Sequence, residues 1–308
     1  MKASLLLAAL VGAVLSLPTQ AATPATSWQM SLGDWRITAV SDGSVVVPLD
    51  KLLTHITPEA LASRMAAVGK TPQAETAINT YVIDTGRQRY LVDTGAGALL
   101  GNAGGHLPDN LRAAGIPPES IDQVLLTHIH GDHSGGLQHD GVPVFPNATV
   151  RVEQKDVDFW LDPAHASQVE ASQRHTFAES ERSLRPVINA GKLQTFTAPV
   201  KIAEGIEAIP APGHTPGSVI YRVTHGGKTL LLWGDIIHAE PVQMPQPEVA
   251  IHFDVDQTQA VATRKQVLEK AAADGDWIAS AHIAFPGIGK VEKNGQGYRW
   301  MPAPQTQR

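Results

Sequence analysis

Four side chains able to bind a metal ion fall within six consecutive positions: His128, His130, Asp132 and His133, in Thr127-His128-Ile129-His130-Gly131-Asp132-His133-Ser134-Gly135-Gly136. Neutral imidazoles and a carboxylate are the donors that zinc and similar divalent ions take. Side chains alternate along an extended chain, so His128 and His130 point the same way. A tighter turn through Gly131 then swings Asp132 and His133 round, and one short loop offers donors to two neighbouring ions. Three more candidates lie downstream, each closing an apolar segment: His214 after Ile209-Pro210-Ala211-Pro212-Gly213, Asp235 after Leu230-Leu231-Leu232-Trp233-Gly234, and His282 after Ile278-Ala279-Ser280-Ala281. A polar group directly after a buried strand is costly unless something satisfies it. His214 alone would read as an ordinary core or surface histidine; the set of seven does not. Seven donors with two carboxylates read as two ions with open positions rather than as one closed structural zinc.

Composition narrows the chemistry. The chain has 308 residues and no cysteine, which excludes disulfides, thiolate zinc sites, cysteine nucleophiles and iron–sulfur clusters. Lys and Arg number 24 against 30 Asp and Glu, a net charge of −6 with no basic block, so nucleic acid is not an expected partner. A hydrophobic share of 43% and a charged share of 18% describe a globular chain, and its length is ample for a self-supporting core.

The elements that must position these residues are strands in hairpin runs with helices between the runs, which suggests mixed sheets covered by helices. Residues 35–40 alternate and end in Ser41-Asp42-Gly43, a strand and a turn, with 44–48 as the hairpin partner. Thr57-Pro58-Glu59 opens a helix whose apolar face is Leu61, Met65 and Val68 and which Gly69 stops. Residues 79–84 and 89–93 are strands, 106–114 is a short helix stopped by Gly115, and 124–126 is a buried strand running into the histidine loop. Residues 156–161 and 167–184 look helical, the second polar enough to be a surface excursion. Strands follow at 206–209, 218–223 and 229–233. Asp256-Gln257-Thr258-Gln259 then starts a helix with Val261, Val267, Leu268 and Ala271 on one face up to Gly275, before a final strand at 277–280.

At the N-terminus Lys2 precedes an apolar stretch from Ala3 to Leu17, broken by Pro18 and followed by Thr19-Gln20-Ala21. This is a secretory signal pattern, with the cut expected after Ala21. The stretch is short for a membrane span of about 20 residues. The expected organisation is therefore a signal peptide over 1–21 and a single domain over 22–308, exported to a periplasm and free of the membrane once cut.

The histidine cluster resembles the metallo-β-lactamase-fold hydrolases, whose signature His-x-His-x-Asp-His is followed by a distant His, Asp and His. All seven positions are present, and Leu91-Val92-Asp93-Thr94-Gly95 matches the family's upstream motif. The resemblance implies an α/β (α+β four-layer) αββα sandwich, two mixed β-sheets flanked by helices. It implies two divalent ions, with zinc the expected metal. His128, His130 and His214 would hold one, Asp132, His133 and His282 the other, and Asp235 would bridge them, with Asp93 supporting a ligand from behind. Within the family, Leu32 to Gly43, Gln154-Lys155, Phe159-Trp160-Leu161, Ala281 to Gly289 and Gly297-Tyr298-Arg299 resemble methyl parathion hydrolase and its lactonase-like relatives, over roughly Trp28 to Pro302. Gly131 replaces a Pro of that subfamily and Ser218 a His. Leu100 falls near a pocket Phe, His238 replaces an apolar residue, and Trp160 and Phe177 keep aromatic pocket positions.

The implied chemistry is hydrolysis of an ester-like bond in a small molecule by a metal-bridging hydroxide, with Asp132 or His238 passing a proton to the leaving group. A lactone or aryl ester is the expected substrate and a phosphotriester a related one. A dedicated organophosphate hydrolase, a mononuclear iron sulfur dioxygenase of the same fold and a non-catalytic binding protein are the alternatives. Relatives also imply a homodimer.

Overall fold

The structure, a computed structural model, describes residues 25–304, so the expected signal peptide and its cut lie outside the described residues. Two seven-stranded mixed sheets form its centre. The first runs Ser27–Leu32, Trp35–Pro48, Gln73–Asp84, Arg89–Val92, Gln123–Leu125, Thr149–Glu153 and Leu193–Phe196, antiparallel through its first four strands and parallel thereafter. The second runs Val200–Ala203, Ile206–Pro210, Val219–His225, Lys228–Leu232, Trp277–Ala279, Ile288–Asn294 and Gly297–Pro302, with one parallel pair at its centre.

Side-chain alternation decides which layer each residue joins. Ile37, Tyr81, Ile83, Val92 and Leu125 face the second sheet and pack with Ala208, Tyr221, Val223, Leu232 and Ala279. Their neighbours Val40, Val82, Leu91 and Val124 face the other way and pack under the helices Leu107–Ala113, Gln154–Trp160 and His175–Asn189. The outer face of the second sheet is covered by the helix Gln257–Asp274 through Leu268 and Ala271. The layers are therefore helix, sheet, sheet, helix. Beside them a smaller apolar cluster joins Leu49, Leu53, Leu61 and Met65 to Ala239, Val242, Val249 and Ile251 and roofs one flank of the sheet ends. Among the described residues no helix is long and apolar enough to cross a membrane.

Four local expectations change. Ser41-Asp42-Gly43 is not a turn between two strands: Trp35–Pro48 is one strand with a bulge there. The Asp42 carboxylate is buried and accepts the backbone N–H groups of Ala96, Gly105 and Leu107, each at 2.9 Å, so the polar residue serves a neighbouring loop instead of solvent. Gly43 has φ 151°, and a Cβ there would stand 2.1 Å from the Ala103 carbonyl, which is why glycine follows. Val68 is exposed, lying just past the end of the helix Pro58–Ala67. The long polar helix starts later, at His175, and is no surface excursion: Ser180 and Ser183 are buried, and the Ser180 hydroxyl donates to the Ile129 carbonyl inside the histidine loop. The inward face of Gln257–Asp274 is Ala260, Arg264, Leu268 and Ala271.

Candidate metal centre

All seven candidate ligands sit at the same end of the two sheets, at or just beyond strand ends. His128 and His130 leave the strand Gln123–Leu125 in an extended turn, and the single helical turn Gly131–Ser134 carries Asp132 and His133. His214 follows Ile206–Pro210, Asp235 follows Lys228–Leu232 and His282 follows Trp277–Ala279. His128, His130, His214 and Asp235 form one group whose donor atoms all lie within 4.8 Å of one another, and Asp132, His133 and His282 form a second. Asp235 reaches both. Its Oδ2 lies 3.1 Å from His214 Nε2, while its Oδ1 lies 3.0 Å from His133 Nε2 and 3.1 Å from His282 Nε2.

The hydrogen bonds behind the rings fix which nitrogen faces the centre. His133 donates its Nδ1–H to Asp93 at 2.9 Å, His214 to Asp254 at 2.9 Å and His282 to the Ala77 carbonyl at 2.9 Å. His128 Nδ1 lies 3.1 Å from the Thr127 hydroxyl, which gives its own hydrogen to Asp93. Each of these rings therefore turns an Nε2 lone pair inward, and His130 Nδ1 stands 2.9 Å from His214 Nε2. Neutral rings and carboxylates cannot satisfy one another, so the cluster calls for either protons or cations between them. His128 Nε2, His133 Nε2 and Asp235 Oδ1 are buried without a hydrogen-bond partner. An acceptor-only cluster of this kind fits divalent cations, with backing partners of the sort that orient metal-bound histidines.

The electrostatics follow. Burial and neighbouring imidazoles hold His128 and His130 well below the usual histidine range. Burial also opposes charge on His133 and His214, but carboxylates outweigh it: Asp235, Asp132 and Asp93 raise His133, and Asp235 and Asp254 push His214 up to about 9. Burial would raise Asp235, yet the surrounding histidines hold it well below the carboxylate range.

Other candidates fall in different places. His238 joins the centre, its Nε2 3.0 Å from Asp235 Oδ2 and its ring stacked on His282. Its Nδ1 has no partner, which separates it from the rings whose Nδ1 is held from behind. Trp160 stands edge-on to His130, centroids 5.1 Å apart, and is fully buried, with Phe177 4.9 Å behind it. Both back a ligand from inside the core. Leu100 is exposed, and its neighbour Leu99, together with Glu179, is what a Cβ on Gly131 would meet.

Three positioning groups carry no legible sign in the sequence. Asp156 is fully buried and accepts Ile129 N–H at 3.0 Å and Gly217 N–H at 2.7 Å, tying the loop of His128 and His130 to the turn after His214. Burial raises its carboxyl to about 6. Asp254 backs His214 from a stretch that reads as a helix start. Tyr81 and Asn79 both donate to the Ser280 carbonyl, at 2.7 and 3.0 Å, and pin the loop of His282 to the first sheet.

The model of the metallo-beta-lactamase superfamily matches residues 74–282, which takes in every ligand candidate. The chain belongs to the metallo-beta-lactamase superfamily. Among solved structures, a hydrolase of the beta lactamase superfamily named AbOPH is 32% identical, with a TM-score of 0.88 over 93% of this chain and all of that one. AidC, a dizinc quorum-quenching lactonase, is 23% identical and shares the fold, with a TM-score of 0.85 over 92% of this chain and 100% of its own. Among curated proteins, the atrochrysone carboxyl ACP thioesterase of Passalora fulva is 37% identical over 120 residues, 38% of this chain and 33% of its own length. Protein YobT of Bacillus subtilis is 29% identical over 164 residues, 51% of this chain and 61% of its own. The chain thus spans less than two thirds of these curated relatives.

Proposed function

We propose that the protein is a dinuclear metal-dependent hydrolase of a carbonyl ester-like bond, a lactone or an aryl ester, with phosphotriesters as incidental substrates. The observation that carries this is the Asp235 carboxylate, one oxygen directed at each ligand group. His128, His130 and His214 would hold one zinc ion, Asp132, His133 and His282 the other, and Asp235 both. Such a pair supplies a water of lowered pKa and a Lewis acid for the carbonyl oxygen, so no serine or cysteine nucleophile is required.

The chain's own groups do the rest. Asp93, Asp254 and the Ala77 carbonyl keep the Nδ1 protons of His133, His214 and His282 outward, so every Nε2 is a donor atom. The Asp132 side chain is 31% exposed, against 5% or less for His128, His133, His214, Asp235 and His282. It is the group that could take the proton released by the attacking water and pass it to the departing alkoxide. His238 stands beside Asp235 and would be the second proton carrier; burial holds it below the usual histidine range. The thioesterase among the relatives supports a carbonyl rather than a phosphoryl centre. The apolar segment before Pro18 supports action outside the cytoplasm, on a diffusible small molecule.

The test is a rate comparison on zinc-loaded protein, using an aromatic lactone, an acyl-homoserine lactone, an aryl ester and methyl paraoxon. Lactones or esters ahead by about 100-fold in kcat/KM, nearly 3 kcal/mol of transition-state preference, is the expected result. Methyl paraoxon ahead would establish a dedicated organophosphate hydrolase. Activity that follows a single bound iron would establish the dioxygenase.

A further inference from the structure

Among the described residues Arg264 is the one Lys or Arg that is buried, with 1% of its surface exposed. It sits on the inward face of the helix Gln257–Asp274, between Ala260 and Leu268. A charge there is expensive unless each donor is met. Its Nε donates to the Ile236 carbonyl at 2.7 Å, and one terminal nitrogen to the carbonyls of Val249 at 2.7 Å and Pro247 at 3.1 Å. The other terminal nitrogen lies 3.7 Å from Asp254 Oδ2.

Three of these contacts, those to Ile236, Asp254 and Val249, lead to the candidate metal centre. Ile236 directly follows Asp235. Asp254 holds His214 Nδ1 at 2.9 Å through its other oxygen. The Val249 carbonyl is shared with Gln243, at 3.1 Å, and the Gln243 side-chain oxygen accepts the His238 backbone N–H at 2.8 Å. The loop carrying His214 and the loop carrying Asp235 and His238 come from two different strand ends, and both are tied to one planar guanidinium, the first through Asp254 and the second through the Ile236 carbonyl.

We propose that Arg264 is a positioning residue for the metal centre, setting the distance between His214 and Asp235 by holding Asp254 and the Ile236 carbonyl on one rigid fork. A lysine carries the same charge but has a single nitrogen on a flexible stem, and cannot span both partners in fixed geometry. The planar shape of the guanidinium sets the spacing. The inference rests on the proposed ligand set, though not on the substrate.

The experiment measures zinc affinity by chelator competition in the full chain, wild type against Arg264→Met, Arg264→Lys and Asp254→Asn, with thermal melting of each metal-stripped protein alongside. Partners that orient metal ligands typically contribute 10- to 100-fold in affinity. Both Arg264 variants should lose zinc affinity by roughly that factor, with cobalt-substituted spectra altered and Lys failing to restore the wild type. Arg264→Met combined with Asp254→Asn should be no weaker than the weaker single variant, because both act through one path. Wild-type affinity in either Arg264 variant, or losses that multiply, would overturn the proposal. If Arg264→Met does not fold, Arg264→Lys carries the test alone. Zinc bound tightly by the wild type without any hydrolysis would defeat the functional reading and leave this one standing.

Discussion

His130 Nδ1 and His214 Nε2 face each other at 2.9 Å across the gap between two loops that lie 84 positions apart in the chain. Two imidazole nitrogens at that separation share either a proton or a cation. The Asp235 and Asp254 carboxylates beside His214 favour the proton and raise that ring to about 9, against burial that opposes it. A zinc ion bound there as proposed would have to displace it. Adding zinc to metal-stripped protein in weak buffer at pH 7 should therefore release at least one proton per chain, and zinc affinity should rise with pH until about 9. A pH-independent affinity between 6 and 9 would contradict this.

The same shift has a sign for stability. His214 titrates near 6.5 when unfolded and near 9 when folded, so its protonated form stabilises the folded protein. That contribution is complete below about pH 6.5 and is lost as pH rises through about 9. Metal-stripped protein should melt at progressively lower temperature across that window, whereas zinc-loaded protein should not show this loss. Scanning calorimetry at pH 6, 7.5 and 9 with and without zinc measures it.

Asp93 has φ 59°, a left-handed conformation that Asp and Asn tolerate better than other residues with a side chain. Asp93→Asn should keep the backbone yet lose the charge that accepts from His133 Nδ1 and from Thr127. Zinc affinity should fall about 10- to 100-fold with the fold intact by circular dichroism. Asp93→Ala adds backbone strain and should also lower the melting temperature.

Trp160 has no exposed surface and fills the space between His130 and Phe177. Trp160→Ala should destabilise by about 3–5 kcal/mol in urea unfolding, the range for removing a large buried aromatic. Trp160→Phe should cost less and leave His130 with a poorer backing, seen as weaker zinc binding. An unchanged unfolding midpoint in Trp160→Ala would contradict the packing role.

The clustering of the seven candidate ligands was legible because its chemistry is local: short apolar strands each end in a polar acceptor, four of the candidates fall in one loop, and the structure brings all seven together. The layered fold was legible for the same reason, through hairpin runs of alternating residues. What supports the ligands was less so. Asp42 and Asp156 are single carboxylates in stretches that read as a turn and a helix start, Asp254 lies two residues ahead of the helix start at Asp256, and each turns inward only because a distant loop brings backbone N–H groups or an imidazole to it. Arg264 lies on a helical face that reads as apolar through Leu268 and Ala271, and nothing local marks it as buried. The long strand Trp35–Pro48 reads as a hairpin because Ser-Asp-Gly has turn chemistry, whereas the partner strand Gln73–Asp84 supplies the pairing that carries it on through a bulge.

The most direct measurement is the zinc content and lactone hydrolysis of Asp235→Asn beside the wild type. Two zinc ions per wild-type chain, loss of at least one from the variant and a fall in kcat of about 100-fold or more, roughly 3 kcal/mol, are the expected results. A variant that keeps both ions and the full rate would show that Asp235 does not join the two ligand groups.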